Sequence, residues 1–301
     1  MRAFYCDHFV LPLPAGHRFP MEKYGLLRAR VTEIDDIDFI VPEAATHEAL
    51  RRIHTEEYVT RVTEGSISLA EVRRIGFPWS PQLVERSRRS VGGTVAAAHA
   101  ALEDGVAVNL AGGTHHAFAD RGEGFCVFND VAVAIRDVQA AGERRRCAVL
   151  DLDVHQGNGT AAIFEGDESV FTLSVHGASN FPFNKACSDL DIGLPDGSGD
   201  DPFLDAVRSG VDRALGQGVD MAFFVAGADA FEGDRLGRLS VTKAGMQERD
   251  NIVFEACART GTPVAVVMSG GYAHDIRDTV DIHAATVRAA AQRTRTVTEA
   301  P

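Results

Sequence analysis

The sequence predicts an α/β fold: one mostly parallel sheet with helices on both faces. Three observations carry this. Five short runs, at 106–110, 147–150, 170–175, 221–226 and 264–268, are rich in Val, Ala, Leu and Phe, as expected of strands buried on both faces. Amphipathic segments alternate with them, at 81–102, 129–141, 201–215, 242–259 and about 278 to 293, and strand alternating with helix is the pattern of a parallel sheet. Finally, every apolar run leaves into glycine together with His, Asp or Tyr.

Along the chain, residues 2–5 read as a first strand, and 11–80 as short helices mixed with long loops. From there the pattern is regular. The run at 106–110 enters AGGTHH, 147–150 enters DLDVHQGNG, 170–175 ends at His176, 221–226 enters GADAFEGD and 264–268 enters SGGYAHD. In open parallel sheets, sites form outside the carboxyl ends of the strands. Five strand ends therefore converge on one crevice.

A chain of 301 residues, 45% hydrophobic, with no linker, low-complexity tract or repeat, is expected to form one domain over 1–301. The apolar runs are too short to cross a bilayer, and MRAFYCDHF lacks the apolar core of a signal peptide. Five scattered cysteines without a CxxC pair suggest reduced thiols and a cytoplasmic protein. A net charge of −13 suits solubility, repels nucleic acid and attracts cationic ligands. The basic clusters Arg86/Arg88/Arg89 and Arg144–Arg146 read as solvated helix ends or turns.

The chemistry centres on DLDVHQGNG. Side chains alternate along a strand, so Asp151, Asp153 and His155 face one way. Three ionisable groups at the end of a buried strand need compensation, and a divalent cation supplies it. Asp153 and His155 can reach one ion, Asp229 is the natural third ligand, and three protein ligands leave positions open for water and substrate. Asp151, one step deeper, reads as an outer carboxylate holding an imidazole or another cation. His115 and His116 suit paired roles, one as proton shuttle and one as electrostatic support. Tyr272 can donate to a developing oxyanion. The set describes metal-assisted amide hydrolysis without naming the amide. His8, His17, His47, His54, His99, His274 and His283 read as structural or surface residues, with His176 intermediate.

GGTHHAFADRGEGFCVFND, DLDVHQGNGT, AGADAFEGDRLGRLSVT and SGGYAHDI together resemble the zinc-dependent histone deacetylase family, from about Gly92 to the C-terminal helix; GHRFPMEKY and IHTEEYV do so less specifically. Arg235 in EGDRLGRLS and Gln156 look most like the class IV branch and its bacterial relatives. The resemblance implies the three-layer arginase/deacetylase fold as a single catalytic domain over 1–301. It implies zinc on Asp153, His155 and Asp229, with iron(II) also compatible with such a site. It implies His116 as general base and acid, His115 as its electrostatic partner held by Asp151, Asn158 as the partner of His116, and Tyr272 as carbonyl polariser. Because Asn158 is neutral where some branches carry Asp, His116 is expected to titrate lower than in those relatives. Gly124, Phe125 and Phe181 would line an apolar tunnel for an acylated lysine stem, with Leu236 near its mouth and Gly270 and Gly271 along the substrate path. Asp151, Asp153, His155, Ser174 and Val175 match a structural potassium site.

The implied activity is removal of acetyl or longer acyl groups from lysine side chains in proteins. Its rivals are an acetylpolyamine or other small-molecule deacylase, which the acidic charge suits, and a catalytically silent metal-binding scaffold. A binuclear manganese ureohydrolase shares the fold, but two ligand positions that it needs are Gly157 and Gly227 here.

Overall fold

The computed structural model describes residues 1–142 and 146–298. The elements are, in order, β1 (Arg2–Phe4), α1 (Glu22–Val31), β2 (Asp38–Ile40), α2 (His47–Arg51), α3 (Glu56–Glu64), α4 (Leu69–Ile75), α5 (Pro81–Asp104), β3 (Val106–Asn109), α6 (Asp130–Ala141), β4 (Cys147–Asp151), α7 (Asn158–Ile163), β5 (Val170–Gly177), β6 (Leu190–Leu194), α8 (Asp200–Leu215), β7 (Met221–Val225), α9 (Lys243–Thr260), β8 (Val264–Val267) and α10 (Ile276–Thr298). The strands form one sheet in the order β2-β1-β3-β8-β7-β4-β5-β6. Every pairing is parallel.

Two apolar layers explain why the central strands read as unbroken runs. Val106, Val108, Ala148, Leu150, Ala222, Phe224, Val264 and Val266 face the core shared with α1, α8, α9 and α10. The alternate residues Ala107, Cys147, Val149, Met221, Phe223, Val225, Ala265 and Val267 face α5 and α6. A third cluster joins α2, α3 and α4 to the start of α5. Several helices start where the sequence supplies a cap. Ser80 accepts from Leu83 N, Asn129 from Ala132 N and Thr242 from Gly245 N, so Asn129 and Thr242 sit just outside their helices.

Three features depart from the sequence reading. β2 and β6, within regions read as loop or left unread, are strands. They lie at the two sheet edges and are partly exposed, so neither shows an apolar run. Arg86, Arg88 and Arg89 lie inside α5, and Arg86 is buried, donating to the carbonyls of Cys6 and Phe9. β4 ends at Asp151, so Asp153 and His155 occupy the bend beyond the strand rather than the strand itself. Arg144 and Arg145 lie outside the described residues, while Arg146 is exposed and donates to the carbonyl of Gln217. Cys6, Cys126, Cys187 and Cys257 carry free thiols. No helix among the described residues is long and apolar enough to cross a membrane.

Candidate active site and metal centre

The bend after β4 forms because its backbone amides find partners outside the ladder. Val154 N donates to Asp229 Oδ1 (3.0 Å) and His155 N to Asp153 Oδ1 (2.9 Å). Asp229, on the loop after β7, is thereby locked to the segment that carries the other two candidate ligands. One ligand atom from each of Asp153, His155 and Asp229 lies within 4.8 Å of the others. His155 Nδ1 stands 3.0 Å from Asp153 Oδ1 and 3.2 Å from Asp229 Oδ2. Asp153 Oδ2 is already occupied, accepting from Ser269 Oγ (2.8 Å) and Gly270 N (2.9 Å).

The donor set fits a cation. Asp229 Oδ2 is buried and makes no hydrogen bond of good geometry. Burial first, then the Asp153 charge, push Asp229 up to about 6. Burial would lower His155, but hydrogen bonds to Asp153 and Asp229 outweigh it and hold it at about 10. The three groups thus bind a proton tightly where a divalent ion would serve them better. The cradle admits no bulk. A Cβ on Gly270 would stand 1.9 Å from Asp229 Oδ2.

The same crowding bears on a two-metal arrangement. A Cβ on Gly227 would come within 2.4 Å of Asp153 Oδ2, and one on Gly157 within 2.2 Å of Asp151 Oδ2. Both positions where a binuclear site needs a further carboxylate lack the ligand and the room for it.

His115 and His116 follow β3 on a loop pinned by Asp130. Its carboxylate accepts from Gly113 N (3.0 Å) and Thr114 N (2.7 Å). The imidazoles lie 4.1 Å apart between ring centroids. His115 Nδ1 meets Asp151 Oδ2 at 2.7 Å, and His116 Nδ1 meets Asn158 Oδ1 at 2.8 Å. Burial opposes charge on both. At His115 the Asp151 and Asp153 charges prevail and hold it at about 9. At His116, burial and the neighbouring cations His115 and His155 prevail and push it well below its ordinary value. One imidazole is charged and its neighbour neutral, which is how acid and base roles separate. With Asn158 presenting its carbonyl oxygen, His116 carries its proton on Nδ1 and leaves Nε2 as a base.

Tyr272, on the loop after β8, is fixed through its backbone, its N–H donating to Asp234 Oδ2 (2.6 Å). Burial, then the Asp229 and Asp153 charges, push the phenol well above its ordinary range, so it remains a donor. These groups line one cavity of about 590 Å³, together with Gly124, Phe125, Phe181, Leu236 and Gly270. Phe181 stacks edge-on against His116 (4.9 Å), and Phe125 lies 6.1 Å from the Tyr272 ring. Gly271 does not line the cavity; it packs against Thr279 and Ala228. Ser174 pairs in register with Asp151, and Val175 is buried beside it.

Several contributors escaped the sequence reading. Lys23 is buried beneath the site. Its Nζ donates to Ser269 O (2.9 Å) and lies 5.4 Å from the Tyr272 ring. Ser269, Asp130, Asp234 and Asn180 brace the site loops. The only signal for Ser269, Asp130 and Asp234 was position inside the quoted motifs, and Asn180 lies outside them. His54 and His283 are buried structural histidines, as expected.

A model of the histone deacetylase domain matches residues 17–287. The chain belongs to the histone deacetylase family. It is a hydrolase of that family, whose members are metal-dependent amidohydrolases. An uncharacterized protein of Picosynechococcus sp. is 44% identical over 290 residues, 95% of this chain and 97% of that one. A probable deacetylase of Methanothermobacter thermautotrophicus is 31% identical across 85% of this chain and 82% of its own. Among solved structures, the HD domain of HDA15 superposes with a TM-score of 0.81 at 24% identity, covering 98% of this chain and 94% of that one. That likeness supports the arginase/deacetylase architecture.

Proposed function

We propose that the whole chain, 1–301, is one catalytic domain that removes acetyl or longer acyl groups from the side-chain amine of lysine in proteins. The observation that carries this reading is the convergence of a charged and a neutral imidazole, an Asp-His-Asp ligand set and a buried phenol on one cavity with an aromatic neck. Asp153, His155 and Asp229 would hold the ion, zinc in the first instance and iron(II) as the alternative. When bound, it supplies Lewis-acid polarisation of the amide carbonyl and a more acidic water.

The protein's own groups do the rest. His116 Nε2 accepts the proton of the attacking water and returns it to the leaving amine. His115 stays charged through Asp151 and supports the negative charge developing nearby. The Tyr272 hydroxyl donates to the developing oxyanion. Gly124, Phe125 and Phe181 exclude water from the aliphatic stem, Leu236 stands near the mouth, and Gly270 lets the substrate approach the ligand carboxylates. Asp151, Asp153, His155, Ser174 and Val175 would hold a structural potassium ion. The class IV resemblance favours a long acyl chain, and the free thiols suit a cytoplasmic setting. A silent scaffold would need neither the proton relay nor the phenol.

The test is hydrolysis by zinc-loaded protein of one lysine peptide bearing chains from acetyl to myristoyl. Turnover at any length supports the reading, and the length at which it peaks defines the acyl preference. Absence of turnover across the series, with turnover of an acetylated polyamine instead, would replace it with the small-molecule reading.

A further inference from the structure

The chain carries a net charge of −13, yet the rim of its cavity has the opposite sign. The only carboxylates lining the cavity among the described residues are Asp153 and Asp229, both buried in the metal set. The charged residues lining its outer part are Arg18, Arg235 and Arg238, all exposed.

Arg18 comes from the loop before α1, and Arg235 and Arg238 come from the loop after β7. Arg18 precedes Phe19, whose ring packs on Phe125 at 5.3 Å and on Tyr272 at 6.1 Å. No ion pair holds Arg18 among the described residues. Arg235 and Arg238 belong to a turn built for rigidity. Asp234 Oδ1 accepts from Leu236 N (2.8 Å) and Gly237 N (2.9 Å). Asn180 clamps the turn from the neighbouring loop, donating to Leu236 O (2.8 Å) and accepting from Arg238 N (3.2 Å). Arg235 Nε donates to Tyr272 O (2.8 Å), and the residue is exposed. Arg238 meets one carboxylate, Asp196, at 3.1 Å in a half-exposed pair. On the loop that carries Asn180, Lys185 Nζ is tied to the carbonyls of Asn180 and Pro182. Phe183 stands on that loop at 84% exposed, an apolar surface among the cations.

Three guanidiniums around one opening attract carboxylates and repel ammonium groups, and arginine's planar fork can take a carboxylate by two parallel hydrogen bonds. We propose that the rim selects acylated amines carrying negative charge beside the scissile amide, specifically acyl-lysine flanked by Asp or Glu, and disfavours acylated polyamines. This deepens the lysine-deacylase reading and rests on it. The local field at the opening, rather than the whole-chain charge, decides which amine enters.

The experiment uses two peptides with the same acyl-lysine, one flanked by Glu and one by Arg, with N-acetylspermidine as a third substrate. Zinc-loaded protein is assayed for kcat/KM at ~0.02 M and ~0.5 M salt, where the screening length falls from roughly 20 Å to roughly 4 Å. Binding of labelled, uncleaved peptides to the Tyr272→Phe variant is measured in parallel by fluorescence anisotropy. At low salt the acidic peptide should exceed the basic one by about tenfold, with parity approached at high salt, as expected for several exposed charges acting together. In an Arg18→Glu/Arg238→Glu double variant the ratio should invert. Equal turnover of the two peptides at low salt, or a preference for the basic peptide or the polyamine, overturns the inference and leaves deacylation standing. Tighter binding of the acidic peptide with no turnover of any peptide sustains the rim and removes the deacylase reading. No turnover with no charge preference in binding removes both.

Discussion

His115 and His116 are chain neighbours with rings 4.1 Å apart, and they occupy opposite electrostatic regions. His115 faces the end of β4, where Asp151 holds it at about 9. His116 faces the start of α7, where Asn158 offers a dipole and no charge, and it lies well below its ordinary value. Both are buried, so burial does not distinguish them. Their charged neighbours do: the Asp151 and Asp153 carboxylates raise His115, while the His115 and His155 cations oppose charge on His116, whose own partner Asn158 is neutral. Polarity in a buried site is set by the charges around it, and a single isosteric exchange at one partner shifts it.

The strongest way to break the comparison is to remove the charge that organises the acidic region. Asp229→Asn keeps the acceptor for Val154 N but puts a donor where Oδ2 faces His155 Nδ1 at 3.2 Å. Activity should fall by roughly a thousandfold or more, the scale seen when a central catalytic group is lost. The same exchange takes from the charged His155 one of its two buried carboxylate partners. The metal-free variant should therefore melt lower than the parent protein, and added zinc should no longer raise its Tm. A calorimetric scan with and without zinc reads both halves. A variant still stabilised by zinc would remove Asp229 from the ligand set.

Asp151→Asn tests the charged side alone. His115 loses the hydrogen-bonded anion that outweighs its burial and should drop from about 9 towards neutrality. Activity should fall by about tenfold to a hundredfold, the usual cost of an outer partner. The reverse exchange, Asn158→Asp, gives His116 what His115 has. An opposite charge in hydrogen-bond contact should raise its pKa by roughly one to two units. His116 is needed neutral as a base, so the acid limb of kcat/KM against pH should move upward by that amount. An unmoved limb would separate His116 from the titration that governs the rate.

The sequence showed the acidic region more clearly than its frame. DLDVHQGNG, GGTHH, GADAF and SGGY each follow a run buried on both faces, so strand ends and chemistry coincide in the text. Edge strands β2 and β6 have exposed faces, and no apolar run marks them. Lys23 and Arg86 were invisible for a related reason. Composition places cations at the surface, and only tertiary structure supplies the carbonyls that let these two be buried. The rim arginines were legible as residues and not as a rim. Arg18 and Arg238 are more than two hundred positions apart in sequence and come together only in the lining of one cavity.

A third buried histidine, far from the ligand set in sequence, sharpens the comparison with the smallest effect on catalysis. His54 has neither a carboxylate nor a carboxamide. Its Nδ1 donates to Phe118 O (3.0 Å), and its Nε2 accepts from Asn129 N (3.0 Å), the cap residue of α6. That pattern requires a neutral ring, because a proton on Nε2 would face the Asn129 N–H. Burial lowers its pKa to about 4, against the ordinary value of 6.5. The folded state therefore binds fewer protons than the unfolded chain between those values, so stability falls as pH drops from 6.5 towards 4. The full loss is about 3 kcal/mol. His54→Gln can make both hydrogen bonds without titrating. Its stability deficit against the parent, read from urea midpoints, should shrink steadily over that pH window. A constant deficit would mean that His54 keeps its charge when buried, and that neutrality at His116 needs more than the lack of a carboxylate.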